Sequence, residues 1–372
     1  MNDRSYRHST VTRSEAIRAL AATATAAVVL PERVLAASPA PRVTRKIICG
    51  VATKTITPYT MNLCIGQELG YLRDEGLELE LKALGSFATQ TEALRRGQIT
   101  FAVGSPPVIL PIVARGETFP AIQFYEYTYP FKYDWVVMPD SPIKTYADLR
   151  GKKLAVANFG TSEKAIGERL LVNAGVPLQS EKWSATGEGL PSYIALQRGD
   201  VDAMIYYDNG FGSWDVAGFK YHLLPRPKNI PQVGGFYIGA TPATLEKDRA
   251  TAVAYGRAVA KATVFARENP EAGARVFLKM FPEAITPSKS LDENVHDAML
   301  VSYRRIKLWS SPDPSVKKIG YVRPVEWKDE IVFAGLEGKV PNVERLYTNA
   351  LIDEINRFDA NAVRREARAY KA

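Results

Sequence analysis

The chain has 372 residues, 46% of them hydrophobic and 24% charged, which is typical of a globular protein with room for two domains. Lysine and arginine outnumber aspartate and glutamate by 48 to 40, giving a formal net charge of +8. These basic residues alternate with acidic ones and form no basic stripe, so we expect no nucleic-acid partner. The two cysteines and three histidines are too scattered for a metal site, and we expect no cofactor.

Residues 1–37 have the features of an export signal. Arginines precede an uncharged run from Ala19 to Leu30, and small residues follow at Val34-Leu35-Ala36. The run is shorter than the roughly 20 residues of a membrane-spanning helix. Arg13–Arg18 resembles a twin-arginine signal whose second arginine is missing, so twin-arginine export and general secretion both stay open. We expect a periplasmic mature protein that begins near Ala37; a disordered N-terminal tail is the alternative.

The next segment alternates between strand and helix patterns. Taken in chain order, it predicts strand 46–51, helix 59–72, strand 77–83, helix 87–96, strand 99–103 and helix 106–115. Cys49 would lie in the first strand and Cys64 on the apolar face of the first helix. A strand and the helix after it pack together, so a disulfide and two buried free thiols both stay open.

An aromatic stretch at 124–135 separates these elements from a second set. Its odd positions from 125 to 135 are all aromatic and would share one face of an extended segment, although Pro130 favours a bend there. Such a wall suits a planar solute, and core packing is the alternative. The second set comprises helix 145–149, strand 153–157, helix 161–174, strand 181–185, helix 189–198 and strand 201–207.

From Thr241 onward the sequence is strongly helical, at 243–268, 270–279 and 291–309. Because no further sheet accompanies these helices, we expect them to pack back on the first lobe.

Residues 85–99 and 187–201 read as two copies of one unit. Gly85-Ser86 followed by Ala93–Ile99 recurs as Gly187-Glu188 followed by Ala195–Val201. Each copy has the pattern of a βαβ unit, so the fold class is α/β with two doubly wound lobes and a cleft between them. We assign 1–37 to the signal, 42–134 plus 239–372 to lobe 1, and 139–234 to lobe 2.

Loops after the predicted strands would face the cleft. Gly160-Thr161-Ser162 offers backbone N–H groups, a hydroxyl and a helix N-terminus to an anionic group, with no basic residue beside it, and Gly104-Ser105 repeats the arrangement; simple helix capping is the alternative. Asp208 would meet a donor on the solute or cap the next turn. The predicted ligand contacts are Thr53, Thr57, Tyr59, Ser86, Phe87, Gly104, Ser105, Phe124, Tyr127, Phe159, Gly160, Thr161, Ser162, Glu188, Tyr207, Asp208 and Gly235.

Five segments in order carry a family resemblance over about 45–285. They are Gly70–Leu79, the two Ala-Leu-x-x-Gly repeats, Tyr146–Val156, Gly199–Ala203 and Glu268–Ala272. The chain resembles the substrate-binding proteins of bacterial importers for nitrate, sulfonates, taurine and thiamine-pyrimidine precursors. The resemblance implies the type II periplasmic binding fold, with crossing strands near 134–138 and 235–238.

The resemblance also implies a function. We expect a monomeric, non-enzymatic receptor that binds a small, anionic, aromatic or sulfonate-type solute and delivers it to an ABC permease. Two alternatives stay open. One is an enzyme similar to the thiamine-pyrimidine synthases, which the resemblance ties to a cysteine cluster and a cleft histidine. The other is a receptor linked to a sensor.

Overall fold

The computed structural model describes residues 44–130, 132–178, 182–228 and 230–371. The predicted export signal lies outside these residues. Within them, no helix combines the length and apolarity needed to cross a membrane.

Two five-stranded sheets form the framework of the described chain. The strands are β1 (Arg45–Val51), β2 (Leu77–Ala83), β3 (Phe101–Gly104), β4 (Ile122–Thr128), β5 (Tyr133–Val137), β6 (Lys153–Val156), β7 (Lys182–Ala185), β8 (Ala203–Tyr207), β9 (His222–Leu223) and β10 (Phe236–Ala240). The first sheet has the order β2-β1-β3-β10-β4 and the second β7-β6-β8-β5-β9.

The two sheets repeat one plan. In the first, β1 pairs in parallel with β2 and β3, and β10 runs antiparallel to β3 and β4. In the second, β6 pairs in parallel with β7 and β8, and β5 runs antiparallel to β8 and β9. The α/β fold class predicted from the internal repeat is confirmed.

Helices surround both sheets. The α-helices are α1 (Met61–Cys64), α2 (Tyr71–Asp74), α3 (Phe87–Arg95), α4 (Pro106–Ala114), α5 (Glu163–Asn173), α6 (Leu190–Gln197), α7 (Asp208–Val216), α8 (Pro242–Lys247), α9 (Arg249–Glu268), α10 (Pro270–Met280), α11 (Leu291–Lys307), α12 (Pro324–Phe333), α13 (Ile352–Ile355) and α14 (Ala360–Ala369). Short 3₁₀ turns occupy Pro58–Thr60, Tyr146–Leu149, Pro282–Ala284 and Val343–Leu346.

The predicted helix at 59–72 is wrong as a single element. The structure divides it into a 3₁₀ turn, α1 and α2, with turns at 65–70 between the α-helices. Gly70, directly before α2, takes φ 81°, a left-handed conformation through which a right-handed helix does not continue and which glycine adopts at little cost. The apolar periodicity correctly predicted the buried face, since Met61, Cys64 and Leu72 are buried. It did not predict the break between α1 and α2.

The chain passes between the sheets twice. The first passage lies between β4 and β5, ahead of the predicted 134–138, which the structure places in and just after β5. The second lies between β9 and β10, just before the predicted position. Pro130 supplies the bend that lets the aromatic stretch leave the first sheet and enter the second.

The sequence predicts that the C-terminal helices pack on the first sheet. In the structure they contact elements of both sheets. Val295 of α11 belongs to the core around the first sheet, whereas Gly212 of α7, after β8, lies against the backbone of α11. Phe333 of α12 enters the core around the second sheet, and Trp327 of the same helix packs on Tyr237 of β10. Helices α11 and α12 therefore hold the two sheets together in addition to the two passages.

Cys49 and Cys64 are free thiols buried in the core. Burial raises the pKa of the Cys49 thiol to about 12, which favours the protonated, unreactive form.

Candidate ligand-binding site

A pocket lies between the two sheets, at the carboxyl ends of their parallel strands. The first sheet contributes Thr53 after β1 and Phe87 after β2; the second contributes Thr161 after β6 and Glu188 after β7. The full lining is Val51, Ala52, Thr53, Tyr59, Thr60, Phe87, Val103, Tyr127, Lys132, Tyr133, Thr161, Ser162, Glu163, Glu188, Tyr207, Asn209, Phe236 and Arg305. This edge of an open α/β sheet is where ligands commonly bind.

Part of the predicted contact set meets in this pocket. The predicted residues that line it are Thr53, Tyr59, Phe87, Tyr127, Thr161, Ser162, Glu188 and Tyr207. Six of them follow β1, β2, β6 or β7, as expected if the repeated βαβ units face each other, and Tyr127 and Tyr207 lie within β4 and β8. Their role in binding a ligand stays a prediction.

The other predicted contacts lie outside the lining. They are Thr57, Ser86, Gly104, Ser105, Phe124, Phe159, Gly160, Asp208 and Gly235. Phe124 packs in the core with its ring 5.8 Å from that of Phe101, because successive side chains of a strand point to opposite faces. The Phe159 side chain is 51% exposed.

Several of these nine residues have structural partners. Ser86 caps α3 by accepting the backbone N–H of Thr89 at 3.1 Å. The Ser105 hydroxyl caps no helix and donates to the carbonyl of Gly235 at 3.0 Å, in the second passage between the sheets. The Thr57 carbonyl accepts the N–H of the 3₁₀ residue Thr60 at 3.0 Å.

The loops on the two sides touch each other over the pocket. The backbone N–H of Phe87 donates to the carbonyl of Gly160 at 3.3 Å, and the Asn158 amide donates to the carbonyl of Gly85 at 3.4 Å. A Cβ built on Gly160 would lie 3.0 Å from Cβ of Ser86, so the approach favours glycine at this position. The structure therefore shows the cleft with its rims in contact.

The turn at 160–162 differs from the predicted anion site. The Gly160 N–H donates to Oδ1 of Asn158 at 2.8 Å, and the Thr161 hydroxyl donates to the Asn158 carbonyl at 2.9 Å. The Ser162 hydroxyl pairs with the Tyr133 hydroxyl at 2.5 Å. These donors satisfy neighbouring protein groups, and the acidic side chain of Glu163 follows them directly.

Two buried basic residues line the pocket, although no basic residue stands beside the turn at 160–162 in the sequence. Lys132 donates to the carbonyl of Gly234, and its Nζ lies 3.7 Å from the ring centroid of Phe236. Burial lowers the pKa of Lys132 well below its ordinary value, and the charge of Arg305 lowers it further. Arg305 pairs with Asp208, so Asp208 faces this arginine and does not line the pocket.

Glu163 is a buried acid in the pocket wall. Its carboxylate accepts the backbone N–H groups of Ala157 and Asn158 at 2.8 and 3.2 Å. Burial raises the pKa of Glu163 from 4.5 to about 8, although the two N–H groups oppose that rise. Near neutral pH the site therefore carries this group mainly in its uncharged form.

Glu163→Gln is expected to change the pH dependence of stability. Between pH 4.5 and about 8 the folded state holds a proton that the unfolded state has lost, so this group makes stability fall as pH rises. Glutamine keeps an acceptor for the backbone N–H groups and does not titrate. As pH rises across this window, the free energy of unfolding of the variant should increase relative to that of the wild type by up to about 1.4 kcal/mol per pH unit. Urea unfolding at pH 5, 6.5 and 8 measures the difference; parallel curves for the two proteins would contradict it.

Three charged residues of the lining, Lys132, Glu163 and Arg305, were not predicted from the sequence, whereas Glu188 was. Lys132 stood within the aromatic stretch, and a lone lysine among rings was a usable signal. Arg305 lies on the buried stripe that Ala298 and Ser302 form along α11. An arginine at helical spacing from small buried residues indicates a charge that points inward, although nothing in the sequence shows which pocket it enters.

Comparison with known proteins places these observations in a wider group. The family described as NMT1/THI5-like matches residues 57–273, more than half of the chain. The sequence has no significant match among the curated proteins.

Solved structures share the fold. A protein from Bordetella bronchiseptica RB50 is 19% identical with a TM-score of 0.62, over 84% of this chain and 96% of its own. The periplasmic aliphatic sulphonate binding protein SsuA from Escherichia coli is 20% identical with a TM-score of 0.58, over 82% and 92%. The alkanesulfonate-binding protein SsuA from Xanthomonas axonopodis pv. citri, solved bound to MOPS, is 15% identical with a TM-score of 0.57, over 83% and 97%.

Proposed function

The chain belongs to the NMT1/THI5-like family, and from this membership we propose that it is an extracytoplasmic receptor for a small solute. The observation that carries the proposal is the pocket, which takes side chains from both sheets and whose rims meet through Phe87 and Gly160. A solute in such a pocket contacts both sides and stabilises the closed arrangement through those contacts.

The lining suits an anionic solute with a flat or apolar body. The rings of Tyr59, Phe87 and Tyr127 provide apolar walls, and Arg305 provides positive charge. Aromatic walls and a few placed polar groups are typical of small-molecule sites. The sulfonate-binding relatives support this ligand class, because their names state ligands that combine an anionic group with an organic part.

We favour a receptor over an enzyme because of the chemistry of the lining. The enzyme alternative needs cysteine and histidine in the pocket, and the described lining contains neither type. Cys49 and Cys64 lie in the core, and His296 lies in the N-terminal half of α11, outside the lining. The groups present bind and orient a solute; none of them forms a nucleophile with an adjacent base.

An ABC permease is the partner that we propose, and the periplasm is the proposed location. Both follow from the relatives, since the Escherichia coli protein is described as periplasmic and an importer component from Staphylococcus aureus has the same fold at a TM-score of 0.60. A pull-down of the membrane fraction with the purified protein, with and without solute, tests for a permease.

A thermal-shift screen tests the receptor function itself. The screen covers small carboxylates, sulfonates, nitrate, sulfate, aromatic heterocycles and neutral sugars or amides. A solute present at 100 times its Kd should stabilise the protein by about 2.7 kcal/mol. Tyr127→Ala, which removes a ring from the lining, serves as the control and should respond less to the same solute. If no compound in such a library shifts the wild type, the receptor proposal fails.

Solute is expected to shift the protein toward the conformation with touching rims. Without solute, the contacts of Phe87 with Gly160 and of Asn158 with Gly85 are the ones that an opening motion breaks. Helices α11 and α12 join both sides, so the opening is expected to be smaller than two passages alone would allow. X-ray scattering should give a smaller radius of gyration with saturating solute; an unchanged radius would count against closure.

A further inference from the structure

Arg305 is one of the most deeply buried charges in the described chain, with 1% of its surface exposed. It stands in the last turn of α11, which lies against α7 where Gly212 leaves room for the backbone of Leu300 and Val301. The close packing of these helices brings the arginine from the C-terminal region, outside the matched residues 57–273, into the pocket wall.

The guanidinium group of Arg305 makes its hydrogen bonds through Nε and Nη2. Its Nε and Nη2 donate to the two carboxylate oxygens of Asp208, each at 2.6 Å, and Nη2 also donates to Oδ1 of Asn209 at 3.0 Å. The guanidinium carbon lies 4.7 Å from the ring centroid of Tyr59 and 5.8 Å from that of Phe236. These contacts fix the plane of the group, as a bidentate carboxylate pair does.

The remaining nitrogen has no partner among the residues that the structure describes. Nη1 of Arg305 is buried and makes no hydrogen bond within the described chain. A buried N–H group of a charged side chain that lacks an acceptor is costly, and such groups call for an explanation. Burial alone lowers the pKa of Arg305, but the charge and hydrogen bonds of Asp208 reverse this and raise it, so the group stays protonated.

We propose that Nη1 of Arg305 donates to an oxygen of a carboxylate or sulfonate group on the solute, which makes Arg305 a determinant of specificity for anions. The inference rests on the proposed receptor function. Asp208 then acts as a positioning residue: it orients the arginine through Nε and Nη2 and leaves Nη1 for the solute. The apolar body of the solute would lie among the rings of Tyr59, Phe87 and Tyr127.

This assignment replaces the earlier expectation for Asp208. A carboxylate that contacted the solute directly would select a donor or a positive charge. A carboxylate already engaged on both oxygens by Arg305 selects an anion instead, because Arg305 lines the pocket and its Nη1 has no acceptor among the described residues. The two assignments give opposite results for an Asp208 variant.

The test uses calorimetry with matched pairs of probes that differ in charge. The pairs are acetate with acetamide, benzoate with benzamide, and benzenesulfonate with benzenesulfonamide. For the wild type, we expect at least one anion to bind about 10 to 100 times more tightly than its amide, as a charged hydrogen bond in a buried site provides. Arg305→Gln should lose that preference. Arg305→Lys keeps the charge but not the planar guanidinium group with its several N–H donors, and should retain part of the preference.

The chain offers a matched control at the neighbouring position. Arg304 stands on the same helix, faces Asp215 at 3.5 Å, has a side chain that is 35% exposed and lies outside the lining. Arg304→Gln should bind the probes as the wild type does. Asp208→Asn should weaken binding of the anionic probes, because Arg305 loses the carboxylate that orients it, whereas a direct contact of Asp208 with the solute predicts weaker binding of a donor and no loss of anion affinity.

Folding is checked by circular dichroism, and the double variant Arg305→Gln with Asp208→Asn covers the case in which Arg305→Gln alone is unfolded, since it removes both charges together. Unchanged anion affinity in a folded Arg305 variant would overturn the inference and indicate water as the partner of Nη1. Equal binding of anions and amides by the wild type would overturn it while leaving the receptor function intact. A wild type that binds no anionic probe contradicts the inference, and failure in the wider thermal-shift library as well would contradict the receptor function.

Discussion

Arg305→Met is expected to lower the free energy of unfolding by about 3–5 kcal/mol, the usual cost of removing one partner from a buried ion pair. Asp208 is only 5% exposed and would keep a buried carboxylate without its two strongest donors. Methionine fills much of the same space, so the loss reports the charge more than the volume. Urea unfolding followed by circular dichroism at pH 7 measures it.

Two further variants separate the causes. Arg304→Met removes a partly exposed arginine one position earlier and should cost about 1 kcal/mol or less, because exposed pairs contribute little. Arg305→Met combined with Asp208→Asn should recover part of the loss, since no buried carboxylate is left unpaired. A loss below about 1 kcal/mol for Arg305→Met would show that the pair is not held as the structure has it.

Gly212→Val is expected to cost on the order of 3 kcal/mol and to weaken solute binding at the same time. A Cβ at this position would lie 2.6 Å from the Leu300 carbonyl oxygen and 2.6 Å from Cα of Val301, both backbone atoms that cannot rotate away. Helix α11 would have to shift away from α7, and Arg305 would move with it. Urea unfolding and calorimetry on one preparation measure both effects.

Ser213→Val is the matched control for this change. It adds a β-branched side chain to the next position of α7, on a partly exposed face, and loses only the bond from its hydroxyl to the Asn209 carbonyl at 3.2 Å. It should cost about 1 kcal/mol. Equal losses for the two variants would show that helix propensity, and not the contact with α11, limits position 212.

Local patterns were sufficient for the parallel strands of the two sheets. The alternation of Leu77, Leu79 and Leu81 with charged residues predicted β2 with its observed ends, and the repeated glycine turns predicted the second parallel unit. These features depend on neighbours in sequence. The interruption at Gly70 was missed because the apolar period continues across it, so the burial pattern and the backbone conformation disagree there.

The pocket was only partly predictable because it depends on contacts between distant segments. Loops after strands could be assigned from the sequence, and Tyr59, Tyr127 and Thr161 do line the pocket. Arg305 reaches the pocket because α11 packs on α7. This packing brings together the two residues of the ion pair, Arg305 and Asp208, which lie 97 positions apart in the sequence. Periodicity identifies a buried helix face but does not identify the surface on which that face packs.

We have proposed that an anionic solute binds between the sheets against Arg305. A crystal structure of the protein with the probe that binds most tightly tests it most directly. We predict a carboxylate or sulfonate oxygen within hydrogen-bond distance of Nη1 of Arg305, with the body of the probe among Tyr59, Phe87 and Tyr127. A probe bound elsewhere, or one in this pocket whose anionic group points away from Arg305, would contradict the account.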